Sequence, residues 1–110
     1  MTKIKIKALS VNKAWQGRRF KTKEYTSYEA ELFYKLPKME ISKTEKLFIS
    51  LTIGYSNKLA DIDNFVKPFL DVLQKKYGFN DSQIYEMHIM KTITEKGKEF
   101  IEFDLVKLAE

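Results

Sequence analysis

Residues 47–78 read LFISLTIGYSNKLADIDNFVKPFLDVLQKKYG, and their apolar pattern indicates the main strand and helix of the chain. Apolar side chains occupy every second position over residues 47–53, which predicts a strand over Leu47–Tyr55 with one apolar face. The apolar residues then change to helical spacing and predict a helix over about 62–77, with Gly78 as its C-cap. A strand and a helix are therefore joined by a short loop that carries acidic residues.

The residues before this stretch predict one strand, a loop and one helix. Lysine alternates with apolar residues over residues 3–9, which predicts a strand at or near a sheet edge. Residues 10–25 show no clear period and predict a basic loop with interleaved aromatic residues. Thr26 and Glu29 match a capping box, so a helix is expected from Thr26 to about residue 36.

Two more strands are predicted after the second helix, over about residues 83–93 and 99–107, with a turn between them. The resulting order is β-α-β-α-β-β. This order predicts an α+β fold in which the helices pack on one mixed sheet. A chain of 110 residues is expected to form a single domain over residues 1–110.

Composition excludes several classes of protein. The chain has no cysteine, which excludes a disulfide scaffold, a cysteine zinc site and thiol catalysis. It has no apolar run near the ~20 residues that span a bilayer, and its first residues lack the apolar core of a signal peptide. We therefore expect a soluble, cytoplasmic protein with no membrane partner. No phosphate-binding loop or dinucleotide fingerprint is present, so no small-molecule cofactor is expected.

Charge is distributed unevenly along the chain. Residues 1–60 hold 13 basic and 5 acidic side chains, whereas residues 61–110 hold 7 basic and 10 acidic ones. A basic half favours a polyanionic partner such as nucleic acid, although a lysine-rich surface is also common in small proteins. Four of the five aspartates fall within residues 61–81, which suggests a cation site.

The aspartates Asp61, Asp63 and Asp81 are the candidates for that site, since all three are expected to be ionised at neutral pH. Two carboxylates about 4 Å apart repel by about 4 kcal/mol at an effective dielectric constant of about 20, so a cluster of three needs a cation. Carboxylates are hard oxygen ligands of the kind that magnesium binds, and manganese is a possible substitute for magnesium. If the strand after Asp81 lies beside Leu47–Tyr55, Asp81 is expected to face the other two aspartates. Lys67 would add a positive charge near a phosphate.

A purely structural interpretation stays open for the same residues. Asp61 or Asp63 would then be a helix N-cap, and Asp81 would stabilise a turn. Asp71 lies four residues after Lys67, a spacing that is typical of a solvent-exposed salt bridge. Pro68 fits best in the first turn of a helix, so regular helical bonding is expected to begin around residues 64–67.

The motif around these residues resembles that of the RusA family of Holliday junction resolvases. The matching residues are Asp61-x-Asp63-Asn64-x-x-Lys67-x-x-x-Asp71-x-Leu73, then Gly78, then Asp81-Ser82-Gln83-Ile84; Ser10-Val11-Asn12 resembles an early Ser-x-Asn element of the family. The family has paired acidic residues where this chain has Asn80 and Asp81.

The resemblance implies a homodimeric endonuclease that uses magnesium to cut two strands of a four-way DNA junction symmetrically, in a bacterial or prophage setting. It also implies that Asp61, Asp63 and Asp81 form the metal site and that Lys67 is the essential basic residue. A non-catalytic DNA-binding module and a magnesium nuclease with flap or single-strand preference remain alternatives.

The basic residues of the N-terminal half are candidates for phosphate contacts. They are Lys13, Arg18, Arg19, Lys21 and Lys23, with Lys58 near the acidic loop as a further candidate. Trp15 is a candidate for stacking on unpaired bases, whereas core packing is the favoured role for Phe20.

Overall fold

The computed structural model describes residues 1–10, 14–16 and 20–109. Within these residues the strands are β1 (Thr2–Lys5), β2 (Trp15–Gln16), β3 (Phe20–Lys21), β4 (Leu47–Tyr55), β5 (Ile84–Ile93) and β6 (Phe100–Lys107). The helices are α1 (Lys23–Lys35) and α2 (Val66–Tyr77), and a single 3₁₀ turn, Asp81–Gln83, precedes β5. No helix in the described part of the chain is long and apolar enough to cross a membrane.

Four strands form a mixed sheet in the order β1-β6-β4-β5. The central strand β4 pairs with β6 in antiparallel orientation and with β5 in parallel orientation. Strands β2 and β3 pair in antiparallel orientation as a separate two-stranded sheet. The α+β fold, the mixed sheet and the expected order of strands and helices are confirmed.

The core lies on one face of the sheet, where both helices pack. Apolar side chains of β4 and β6 alternate between buried and partly exposed positions, and the buried set joins the apolar residues of α1 and α2 in one cluster. Phe69 of α2 meets Phe103 of β6 edge to face, with ring centroids 5.5 Å apart. Gly78 ends α2 with a φ of 76°, a left-handed conformation that favours glycine.

Helix α1 begins earlier than the sequence predicts. Its N-cap is Thr22, whose hydroxyl oxygen accepts a hydrogen bond from the Tyr25 amide at 3.1 Å. The Thr26 hydroxyl instead donates to the Thr22 carbonyl, so the capping box expected at Thr26 is wrong. The earlier start allows Tyr25, Tyr28 and Leu32 to be buried on one face of the helix.

Two other boundaries differ from the prediction. Strand β1 ends at Lys5, opposite Phe100, because its partner strand β6 begins there. Helix α2 begins at Val66, which places Pro68 in the first turn, where a missing amide hydrogen costs no helical hydrogen bond. Asp61 and Asp63 consequently lie before the helix, in irregular backbone.

Candidate active site

The loop between β4 and α2, residues 56–65, is called the aspartate loop below. It is built from consecutive tight turns. The Ala60 amide donates to the Asn57 carbonyl at 3.1 Å, and the Val66 amide donates to the Asp63 carbonyl at 3.1 Å. The Asn64 side-chain amide donates to the Asp61 carboxylate at 3.3 Å. These turns leave the side chains of Asp61 and Asp63 exposed to solvent.

Phe65 anchors the aspartate loop in the core. Its side chain is fully buried, and its ring lies edge-on to Tyr55, with centroids 6.4 Å apart, and 6.3 Å from the ring of Phe69. The Tyr55 hydroxyl donates to the Asp61 carbonyl at 3.0 Å. The loop is therefore held to the end of β4 by an apolar contact and by a hydrogen bond.

Asp61 and Asp63 both act on the Tyr55 phenol. The pKa of Tyr55 is raised to about 12, first because the phenol is partly buried and then because the carboxylates of Asp63 and Asp61 disfavour a further negative charge. Both carboxylates are therefore close enough to one phenol to act on it together. Asp61 and Asp63 thus place two exposed carboxylates in one loop, directly after strand β4.

A second group of charges surrounds Lys67, in the first turn of α2. The Lys67 ammonium lies 3.2 Å from an Asp71 carboxylate oxygen and 4.0 Å from one of Asp81. The side chain of Asp71 is only 18% exposed, whereas that of Lys67 is 58% exposed. The largely buried Asp71 carboxylate thus forms an ion pair with the Lys67 ammonium, which remains accessible to a ligand on its solvent side.

A hydrogen bond of its main-chain amide fixes the position of Asp81. Its amide donates to the side-chain oxygen of Gln74 in α2 at 2.8 Å. Asn80 and Gln83 cap the 3₁₀ turn reciprocally, and Gln83 also donates to the carbonyls of Ser42 and Glu45. No sequence pattern marks Gln74 for this role, whereas the spacing of four residues did predict the Lys67–Asp71 ion pair.

The metal site formed by Asp61, Asp63 and Asp81 remains a prediction. Among the described residues, no three acidic or histidine side chains are arranged to hold a metal ion together. Strand β5 does lie beside β4, but because the pair is parallel, β5 begins opposite Leu47 and ends opposite Tyr55. The end of β4 and the start of β5 therefore lie at opposite ends of the strand pair, and the described contact of Asp81 is with Lys67, in the first turn of α2.

The chemistry of the remaining pair suits magnesium. Magnesium usually binds one or two carboxylates, keeps several waters and takes further oxygen ligands from a substrate phosphate. Asp61 and Asp63 supply two carboxylates of this kind at an exposed turn. Asp81 as a metal ligand remains a prediction, and its partner in the described chain is Lys67.

The predicted DNA-binding residues are described only in part. Lys13, Arg18 and Arg19 lie outside the described residues, and only the backbone is described for Trp15 and Lys21. Lys23 is exposed at the start of α1 and lines an open cleft of about 520 Å³ together with Lys7 and Ser10. Lys58 is exposed within the aspartate loop itself.

The fold and the site define a small, basic α+β protein that presents carboxylates and an accessible lysine beside a mixed sheet. A model of the family described as Endodeoxyribonuclease RusA matches residues 3–103. Because this match covers nearly all of the 110 residues, the chain belongs to the RusA endodeoxyribonuclease family. The comparison with curated proteins found no match. The family resemblance inferred from the aspartate motif is confirmed.

Proposed function

We propose that this protein is a magnesium-dependent endonuclease that resolves four-way DNA junctions by cutting two opposed strands. Membership of the RusA family supports the nuclease class. The observation that carries the proposal is the placement of Asp61 and Asp63, two exposed carboxylates in a turn that is anchored to the core and close to Lys67 in sequence. A helix N-cap or a simple turn needs one carboxylate, so neither role accounts for both Asp61 and Asp63.

Asp61 and Asp63 would hold the magnesium ion, with manganese as a possible substitute. The bound ion would lower the pKa of a water molecule and neutralise charge on the phosphate. Lys67 binds an oxygen of the scissile phosphate and stabilises the negative charge that develops there. Asp71 and Asp81 orient the Lys67 ammonium, since both carboxylates face it.

Most of the affinity for DNA would come from phosphate contacts of the basic N-terminal half and of Lys58. The logarithm of the binding constant is then expected to fall with the logarithm of salt concentration by about 0.9 for each phosphate neutralised. Symmetric cleavage of two opposed strands requires two equivalent active sites, which a homodimer with two-fold symmetry supplies.

A panel of synthetic substrates tests the proposed function. The protein is incubated with a four-way junction, a flap and a linear duplex of the same sequence, in magnesium, in manganese and in EDTA. Fast, symmetric cuts in the junction alone, with metal present, are expected. Equal cutting of all three substrates would indicate a nuclease of broader preference. Binding without cutting under every condition would favour a DNA-binding module.

A further inference from the structure

Lys91, on the edge strand β5, reaches across to the aspartate loop. Its ammonium donates hydrogen bonds to the main-chain carbonyls of Lys58 at 2.9 Å and Ala60 at 2.6 Å. The Tyr55 hydroxyl donates to the Asp61 carbonyl as well. Side chains of the sheet therefore bind three main-chain carbonyls within four consecutive residues of the loop. The three carbonyls belong to Asp61 itself and to residues within the three positions before it.

The strand pattern explains how a lysine comes to this position. Met87 and Ile89 point to the helix side of β5 and pack against the core, and Lys91 is the next residue on that side. Lys91 pairs in register with Ile53, near the end of β4 where the loop begins. The apolar stem of the lysine can therefore follow the sheet while the ammonium extends to the loop.

The hydrogen bonds of Lys91 are of the stronger kind. An ionised donor makes shorter and roughly twice as strong hydrogen bonds as a neutral one. Among the described residues, no carboxylate forms an ion pair with Lys91, so the two carbonyls are its described partners. The hydrogen bonds between residues of the loop span only two or three residues. Beside Lys91 and Tyr55, the Ser56 hydroxyl at the start of the loop donates to the Glu99 carboxylate at 2.7 Å, but this bond lies farther from the aspartates in sequence.

We propose that Lys91 is a positioning residue of the active site: it fixes the backbone at Lys58 and Ala60 so that Asp61 and Asp63 are held in place for the metal ion and the phosphate. The catalytic part of this inference rests on the proposed function, whereas the part concerning the loop does not. Lys91 acts through the loop and does not itself touch the reacting atoms.

The test compares Lys91→Met, which keeps the stem and removes the ammonium, with Lys91→Arg, which keeps charge and donors. The matched control is Lys76→Met, because the Lys76 ammonium also donates to a main-chain carbonyl, that of Phe33, at 3.0 Å, away from the loop. Amide hydrogen exchange at Ala60 and Asn64 reports on the loop. The junction-cleavage rate and the magnesium concentration for half-maximal rate report on the site.

Lys91→Met is expected to speed amide exchange in the loop about tenfold and to slow cleavage roughly 10- to 100-fold, since small displacements of catalytic groups cost about that much. It should also raise the magnesium requirement. Lys91→Arg should recover most of both properties, and Lys76→Met should change neither. If Lys91→Met does not fold, Lys91→Gln provides the same comparison.

Unchanged exchange in Lys91→Met would overturn the inference, whatever the cleavage rate. Slower cleavage with unchanged exchange would mean that Lys91 acts on DNA directly. If the unaltered protein cuts no DNA, the proposed function fails, and the exchange measurement alone then decides whether Lys91 holds the loop.

Discussion

Replacement of Phe65 by alanine tests whether the aspartate loop is anchored in the core. The Phe65 side chain is fully buried between Tyr55 and Phe69, so its removal leaves a cavity in a packed region. Large-to-small changes of this kind cost about 3–5 kcal/mol of the free energy of unfolding. Ile62, in the same loop, is 43% exposed, and its replacement by alanine should cost less than about 0.5 kcal/mol.

Urea unfolding followed by circular dichroism measures the difference between the two variants. With a dependence on urea of about 1.5 kcal/mol per molar, a loss of about 3 kcal/mol lowers the unfolding midpoint by about 2 M. Ile62→Ala should leave the midpoint almost unchanged. A midpoint for Phe65→Ala close to that of Ile62→Ala would refute the idea that this ring anchors the loop.

Three further predictions concern the sheet, the tyrosines and the third aspartate. A Cβ at Gly54 would clash with the Phe100 ring, so Gly54→Ala should destabilise the protein by about 1–3 kcal/mol in thermal melts. Adding Phe100→Ala should relieve the clash, and additive losses would contradict this. In the folded protein the pKa values of Tyr25 and Tyr55 are each raised to about 12. As the pH rises, the unfolded chain therefore loses these phenolic protons at a lower pH than the folded protein, and the free energy of unfolding should fall between about pH 10 and pH 12. A flat urea-unfolding midpoint over that range would argue against it. Asp81→Asn should slow junction cleavage, because its carboxylate faces Lys67. A raised magnesium requirement would support Asp81 as a metal ligand as well, and unchanged cleavage would contradict both roles.

Much of the fold could be predicted from alternation and helical spacing. Strand β4 has the bounds that its apolar pattern predicts, and α2 ends at Tyr77 before Gly78, as expected. The predicted start of α1 was wrong because Thr26 and Glu29 match a capping box, whereas the observed N-cap, Thr22, is followed three residues later by Tyr25 and lacks that pattern. The burial of Tyr25 decides between the two threonines, and burial is a property of the packed structure.

The candidate site was less predictable, because its contacts join distant parts of the chain. The position of Pro68 indicated that the aspartates precede the helix, and the spacing of Lys67 and Asp71 indicated their ion pair. The contacts of Lys91 with the loop cross more than 30 residues and depend on the sheet order. The contact of Asp81 with Lys67 joins two separate elements of the chain, and neither spacing nor alternation predicts it.

A comparison of Asp63→Asn with Asp104→Asn on a four-way junction in magnesium tests whether the aspartate loop carries out the cleavage. Asp104 lies on β6 opposite Ser50 and provides the same change of charge outside the proposed site. Asp63→Asn should bind the junction with near-normal affinity and cut it at least about 100-fold more slowly, whereas Asp104→Asn should cut it normally. Normal cleavage by Asp63→Asn would contradict the account.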